Sequence, residues 1–177
     1  IDSKLQEVAE NALKNNIEKI RNGGFSSRYD AKGGCVAVID VHSGEILAMA
    51  GKQAKKENGQ YVVTDYTPGV ITTSVTPGSI VKGASMLVGY KYGAITIGQY
   101  QMDECIKIRS TPEKCSWRTL GYINDINALA YSSNVYQYKI AIKVGGGNYR
   151  YDQGLSLDES AFDKYRSMYH SFGLGVK

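Results

Sequence analysis

The stretch Thr76-Pro77-Gly78-Ser79-Ile80-Val81-Lys82 predicts a helix that begins beside a hydroxyl side chain. A proline and a glycine interrupt an irregular run, and the residues that follow, as far as Tyr90, are mostly apolar, as in a core helix. Because residues three apart share a helix face, the Lys82 amine can approach the Ser79 oxygen. The partial positive charge and free N–H groups of a helix N-terminus favour an oxyanion there. The stretch therefore offers a candidate nucleophile and its base.

Two interpretations of this Ser-x-x-Lys pattern are open. An N-cap serine followed by a solvent-facing lysine explains it without any chemistry, and short motifs often arise by chance. However, Lys82 is the one cation between Ile80 and Tyr90, in a predicted helix that is otherwise nearly all apolar. A lysine amine whose pKa is lowered by burial can take the proton of a serine hydroxyl. The predicted burial of Lys82 thus favours catalysis.

Length and composition limit the possible functions. The 177 residues are 42% hydrophobic and 21% charged, as expected for one globular domain with a real core. The net charge of +4 is spread along the chain without a basic block, so no nucleic-acid partner is expected. No apolar run of about 18 residues and no signal-peptide pattern occurs, although an anchor could precede Ile1. His42 and His170 lie outside any recognisable triad setting, so the chemistry must rely on lysine.

The rest of the chain predicts alternating helical and extended segments. Apolar residues recur at helical spacing from Leu5 to Ile20, and Gly23 ends this helix. Apolar runs at 35–39 and 46–50 predict a β-hairpin, and both faces of its strands should be covered because the runs are apolar almost throughout. We expect a polar surface excursion over 52–67, a hairpin or loop over 95–117, and helices over 125–143 and 157–170. These elements predict an α+β fold in which helices cover both faces of an antiparallel sheet.

A second motif, Ser132-x-Asn134, interrupts the helical pattern over 125–143. By themselves, Ser and Asn often interrupt helices because their side chains bond to the backbone. Combined with the first motif, they suggest chemistry. The Ser132 hydroxyl could pass a proton from the Lys82 amine to a leaving amine, and the Asn134 amide could orient a substrate peptide and hold Lys82.

With both motifs considered, the sequence resembles the transpeptidase domain of class B penicillin-binding proteins. The resemblance is carried by the segments 34–50, 76–84, 128–136 and 172–175, which occur in the family's order. It implies that residues 1–177 are the N-terminal part of such a domain, because no Lys-Thr-Gly or Lys-Ser-Gly follows Asn134. We therefore expect an incomplete fold, and we expect the 177 residues alone not to turn over substrate. Measurable turnover by them would refute this hypothesis.

The resemblance also implies a function in bacterial cell-wall synthesis and cell shape. Ser79 would form an acyl-enzyme with D-Ala-D-Ala stem peptides of peptidoglycan, and β-lactam antibiotics would acylate the same serine, which connects the family with antibiotic resistance. Lys82 would be the general base, Ser132 a proton relay and Asn134 a ligand of the substrate amide. The enzyme would act at the extracytoplasmic face of the cell membrane, held by an N-terminal anchor and partnered by a glycosyltransferase. The chemistry itself requires no cofactor.

Two other functions stay open. A serine β-lactamase or a penicillin-sensing domain shares Ser-x-x-Lys and differs in the fate of the acyl-enzyme, but no glutamate base for deacylation is evident. A non-catalytic cell-wall scaffolding module could keep the same fold. The presence of both motifs, with Ser79, Lys82, Ser132 and Asn134, argues against the module.

The three cysteines raise a separate question. Cys105 and Cys115 lie in the predicted loop before the second motif, and an oxidising extracytoplasmic setting makes a disulfide the ordinary expectation. Free thiols are one alternative. Zinc is another, because Asp103, Cys105, Cys115 and His170 offer the oxygen, sulfur and nitrogen donors of a tetrahedral structural site. Cys35, within a predicted strand, is expected to be a buried thiol.

Overall fold

A computed structural model describes residues 1–24 and 31–175, which fall into two units that divide between Val75 and Thr76. The first unit contains α1 (Ser3–Arg21), β1 (Gly33–Ile39), β2 (Ile46–Glu57), β3 (Gln60–Asp65) and α2 (Gly69–Thr72). The second contains a 3₁₀ helix (Gly78–Val81), α3 (Lys82–Lys91), β4 (Gln101–Asp103), β5 (Gly121–Ile123), α4 (Asp125–Ala130), α5 (Asn134–Val144) and α6 (Ser160–Ser171). This mixture confirms the predicted α+β class. No helix among the described residues is both long enough and apolar enough to cross a membrane.

The N-terminal helix forms as its apolar spacing predicts. The Asp2 carboxylate accepts hydrogen bonds from the backbone N–H groups of Lys4 and Leu5, at 2.9 and 3.0 Å, and so satisfies two donors at the start of α1. Its apolar face packs on the sheet, where Ala9 is buried against Ala48 and Ala50. The small residues allow the helix backbone to lie close to β2.

The first unit has a three-stranded antiparallel sheet in the order β1-β2-β3. The β1-β2 hairpin confirms the prediction. The expected surface excursion over 52–67 is wrong, because β2 continues to Glu57 and turns at Asn58-Gly59 into β3. Both turn residues have positive φ, +50° and +83°, which is the geometry that favours Asn-Gly in two-residue hairpin loops.

Within the first unit, α1 covers one face of β1. Val36 and Val38 face α1 and are half-buried, whereas Cys35 and Ile39 alternate with them and are exposed. The short helix α2 also contacts β1 and β2. The prediction of a buried Cys35 is therefore wrong, because a strand with one covered face exposes every second residue.

The core of the second unit lies between α3 and α5. Met86 and Val88 from α3 are buried against Tyr136 and Ile140 from α5. Gly89 permits this approach, because a Cβ atom there would lie 2.9 Å from the Ile140 side chain. The predicted interruption of the 125–143 helix is confirmed, since α4 ends at Ala130 and α5 begins at Asn134. The helix predicted over 157–170 is α6.

Candidate active site

Ser79 lies in the 3₁₀ helix that leads into α3, and not at the N-cap of an α-helix. Gly78 has a φ of +62°, a conformation that glycine adopts without steric conflict, and the chain then turns into the 3₁₀ helix. The Ser79 carbonyl accepts the backbone N–H of Lys82, where α3 begins. Ser79 is exposed, and so is Ile80, 88% of whose surface is accessible, contrary to the expected apolar helix face. The candidate nucleophile is thus accessible at the start of the helix that carries its candidate base.

The Lys82 amine joins the two sequence motifs. Its Nζ donates hydrogen bonds to the Ser132 carbonyl at 2.7 Å, the Ser132 Oγ at 3.0 Å and the Asn134 Oδ1 at 2.7 Å. Three of the four predicted site residues therefore meet around one nitrogen atom. Among the described residues the Ser79 hydroxyl has no hydrogen-bond partner, so it is not hydrogen-bonded to the Lys82 amine. Ser79 lies one turn before Lys82, where its side chain remains free to meet a ligand.

The surroundings of Lys82 bear on its protonation. Three acceptors match the three N–H groups of an ammonium, whereas a neutral amine has two N–H groups and a lone pair. Burial, however, lowers the pKa of the Lys82 amine from its usual value because it disfavours the charged form. The neutral amine, which can accept a proton, therefore forms at lower pH here than on an exposed lysine. Its formation requires one of the three hydrogen bonds of Lys82 to break.

The Ser132 backbone has the conformation that brings both of its oxygen atoms to Lys82. The Ser133 N–H donates to the Ala128 carbonyl at 2.8 Å, and the Ser132 N–H donates to the Leu129 carbonyl at 3.0 Å. These are the two bonds of a Schellman motif, in which glycine usually occupies the left-handed position. Here Ser132 occupies it with a φ of +54°. A side chain in this conformation costs about 1 kcal/mol, and strain of this kind often marks functional sites.

Replacing Ser132 by glycine or alanine separates this strain from the hydroxyl. Both variants lose the Oγ, but only alanine keeps a Cβ at the positive φ. We expect Ser132→Gly to be more stable than Ser132→Ala by about 1 kcal/mol in the free energy of unfolding measured in urea. Equal stabilities, or a more stable alanine variant, would contradict the left-handed conformation of Ser132.

The structure corrects the zinc hypothesis. Cys105 and Cys115 form a disulfide, so their sulfur atoms are not thiolate ligands, and the disulfide alternative is the one observed. The Asp103 carboxylate accepts hydrogen bonds from two serine hydroxyls, Ser116 and Ser133. His170 lies in α6 and is not part of the one group of three candidate ligands found among the described residues, which consists of the two cysteines and Glu113. The predicted four-ligand zinc site is therefore wrong for this disulfide-bonded structure.

Comparison with known proteins identifies the family. The family model for the penicillin binding protein transpeptidase domain matches residues 34–177, most of the chain and parts of both units. The chain belongs to this family. It is 41% identical over its whole length to penicillin-binding protein 2A of Bacillus subtilis, of which it covers 25%. It is 30% identical over 99% of its length to penicillin-binding protein 2B of Streptococcus pneumoniae, of which it covers 26%.

Solved structures agree with this assignment. Penicillin-binding protein 2B of Streptococcus pneumoniae strain R6 matches 99% of the chain with a TM-score of 0.87 and 27% identity, and the chain covers 29% of that protein. The same protein from strain 5204 gives the same TM-score at 26% identity, over 97% of the chain and 29% of that protein. The resemblance to class B penicillin-binding proteins and their transpeptidase fold is thus confirmed. The chain spans about a quarter of the length of the curated relatives that it matches.

Proposed function

We propose that this penicillin-binding protein segment carries the nucleophile and the proton-transfer groups of a peptidoglycan D,D-transpeptidase. The observation that supports the proposal most strongly is the set of three contacts from the Lys82 Nζ to Ser132 and Asn134, one turn after the exposed Ser79. These contacts link both motifs of a Ser-x-x-Lys transpeptidase through one amine with a lowered pKa. The non-catalytic interpretation, an N-cap serine followed by a solvent-facing lysine, does not account for these contacts.

The proposed reaction begins with acylation. The Ser79 Oγ attacks the carbonyl carbon of the penultimate D-Ala in a stem peptide, and its proton passes to the neutral Lys82 amine. The C–N bond then breaks, and the terminal D-Ala leaves as an amine after it takes a proton from Lys82 through the Ser132 hydroxyl. The Ser79 backbone N–H would be one hydrogen-bond donor to the developing oxyanion. The product is an ester between Ser79 and the shortened stem peptide.

Deacylation completes the proposed cycle. An amine of a neighbouring stem peptide gives a proton to Lys82 and attacks the ester carbon, which forms the cross-linking amide bond. The bond between this carbon and the Ser79 Oγ breaks, and Lys82 returns the proton to the Oγ to restore the hydroxyl. The Asn134 side chain has one oxygen on Lys82, and its N–H groups are available to the substrate amide. A β-lactam undergoes only the acylation step. When Ser79 opens its amide bond, the amine stays attached to the acyl group and continues to block the place of an acceptor.

The cellular setting is part of the same proposal. We propose that residues 1–177 belong to one transpeptidase domain that acts at the extracytoplasmic face of a bacterial membrane, with an anchor and a glycosyltransferase partner outside these residues. The reasons are the family and its substrate, which lies outside the cell membrane. Susceptibility to β-lactams follows from acylation of Ser79, and any part of this protein in antibiotic resistance would act through the rate of that acylation.

Release of D-alanine tests the proposed reaction. The full-length gene product is incubated with an acylated pentapeptide that ends in D-Ala-D-Ala, with and without an added amine acceptor. We expect D-alanine release, a new amide product when the acceptor is present, and loss of both in Ser79→Ala. Steady hydrolysis of a penicillin without D-alanine release would instead favour a β-lactamase. Failure to release D-alanine and to bind penicillin covalently would favour a scaffolding module.

A further inference from the structure

A buried carboxylate and two hydroxyls lie directly beneath the second motif. Ser116 donates its hydroxyl hydrogen to the Asp103 Oδ2 at 2.8 Å, and Ser133 donates to the same oxygen. Asp103 is 3% exposed and Ser133 is fully buried. We call these three residues the Asp103 cluster. A buried carboxylate is expensive unless hydrogen bonds satisfy it, so the cluster is held together strongly.

The cluster also satisfies the N-terminus of α5. With their hydrogens on Asp103, the two serine hydroxyls present lone pairs to the helix. The Ser116 Oγ accepts the N–H groups of Asn134 and Val135 at 3.0 and 3.2 Å, and the Ser133 Oγ accepts the N–H of Tyr136 at 2.9 Å. These are the first three N–H groups of α5, which have no partner within the helix. One carboxylate thereby orients both hydroxyls that anchor this helix end.

The anchored backbone is the backbone of the second motif. Ser133 stands between Ser132 and Asn134, whose side chains both contact the Lys82 amine. Its N–H is bonded to the end of α4 and its Oγ to Asp103. Because the N–H and the Oγ of Ser133 are both hydrogen-bonded, the neighbouring oxygen atoms of Ser132 and Asn134 that contact Lys82 have little freedom to move.

The disulfide keeps Ser116 beside Asp103. Cys105 follows Asp103 by two residues, and Cys115 immediately precedes Ser116, so the bridge joins the two segments that carry the cluster. Next to it, the backbones of Ile106 and Lys114 exchange two hydrogen bonds of 2.8 Å. Asp103 itself ends β4, which is paired with β5. The two segments that carry Asp103 and Ser116 are therefore held together by a covalent bond and by backbone hydrogen bonds.

We propose that Asp103 is a positioning residue for acylation, which acts through Ser116 and Ser133 to hold Ser132 and Asn134 against the Lys82 amine. This inference rests on the proposed transpeptidase function, because its effect is on the acylation of Ser79. In this role Asp103 acts only through the two serine hydroxyls that it holds and transfers no proton. Loss of its carboxylate leaves both hydroxyls free to rotate and loosens the start of α5, and small misplacements of this kind reduce rates strongly.

The test compares Asp103→Ala and Asp103→Asn with the wild type in the full-length gene product. The rate of covalent labelling by benzylpenicillin is measured as a function of its concentration, which separates the limiting acylation rate from the half-saturating concentration. We expect Asp103→Ala to lower the limiting rate by about tenfold to a hundredfold with little change in half-saturation. Asp103→Asn should recover most of the rate, since its amide oxygen can still accept both hydroxyls.

Further variants separate positioning from general stability. Asp125 is also buried, at 2% exposure, but the hydrogen-bond partners of its carboxylate are Tyr90, Gly98 and Ile126, none of them in the second motif or in the Asp103 cluster. Asp125→Ala should lower stability while the folded protein acylates at the wild-type rate. If Asp103→Ala does not fold, Ser116→Ala takes its place, with an expected severalfold loss of rate and faster hydrogen exchange at the N–H groups of Asn134 and Val135.

The outcomes distinguish the two proposals. Wild-type labelling together with unchanged limiting rates in folded Asp103→Ala or Ser116→Ala would overturn the positioning role and leave the proposed function intact. Failure of Asp103→Asn to recover any rate would also overturn it. Absence of labelling in the wild type would overturn the proposed function and the positioning role together.

Discussion

Ser79→Ala is expected to abolish covalent labelling by penicillin. The Oγ of Ser79 is the one atom that forms the proposed ester bond, and removal of a catalytic nucleophile typically costs several orders of magnitude in rate. Because Ser79 is exposed and its hydroxyl has no hydrogen-bond partner among the described residues, the free energy of unfolding should change by less than about 0.5 kcal/mol. Intact mass after incubation with benzylpenicillin measures the labelling, and urea unfolding measures the stability.

Ser74→Ala is the matched control for this variant. Ser74 is exposed, lies five residues before Ser79 in the sequence and is not followed by a lysine at the third position. It should take up one penicillin at the wild-type rate. Stoichiometric labelling of Ser79→Ala would show that Ser79 is not the nucleophile. Loss of labelling in folded Ser74→Ala would show that the effect is not specific to Ser79.

Lys82→Arg and Lys82→Met are expected to slow acylation by about 10²-fold to 10⁴-fold, the usual contribution of a general base. Arginine keeps a positive charge and several N–H donors toward Ser132 and Asn134, but it does not deprotonate at accessible pH. The arginine variant therefore distinguishes a base from a structural cation. Stopped-flow acylation measures the rates. If Lys82→Arg acylates at near the wild-type rate, Lys82 only orients its neighbours.

The lowered pKa of Lys82 gives two dependences on pH. The acylation rate should rise with pH as the amine becomes neutral, and it should level off below 10.5, the usual lysine value. Between the lowered pKa and 10.5 the unfolded chain binds more protons than the folded one, so the contribution of Lys82 to the free energy of unfolding rises with pH. Urea unfolding of wild type and Lys82→Met across this range measures it. If the free energy of unfolding of wild type minus that of Lys82→Met falls as the pH rises, folding raises the pKa of Lys82 and the expected direction is wrong.

Much of the fold could be predicted because local signals decide it. The apolar spacing from Leu5 onward specifies α1, and Asp2 caps it. The β1-β2 hairpin and the break between α4 and α5 also follow from short sequence patterns. The β2-β3 hairpin differs from the predicted surface excursion although Asn58-Gly59 is a strong turn signal, because the charged residues around this turn are equally typical of a surface loop.

The candidate site could be predicted in its residues but not in its geometry. The two motifs identify Lys82, Ser132 and Asn134, which the structure joins. The left-handed conformation of Ser132 could not be inferred, because glycine is the residue that usually signals a Schellman motif. Only the fold specifies which helix end contacts which side chain.

The hydrogen-bond partners of Asp103 could not be predicted from the sequence either. In the sequence Asp103 is one of four residues whose oxygen, sulfur and nitrogen donors suggest a metal site. In the structure Ser116 and Ser133, which the sequence did not single out, bond to its carboxylate from positions 13 and 30 residues away. Buried polar residues find partners through tertiary packing, so a ligand set and a hydrogen-bonded cluster can look alike in sequence.

The position of the penicillin adduct tests the proposed role of Ser79 directly. After labelling of the full-length gene product, trypsin releases residues 57–82 as one peptide, which contains both Ser74 and Ser79. Tandem mass spectrometry then assigns the modified residue. The proposed mechanism predicts a single acyl group on Ser79. An adduct on any other residue, with Ser79 unmodified, would contradict it.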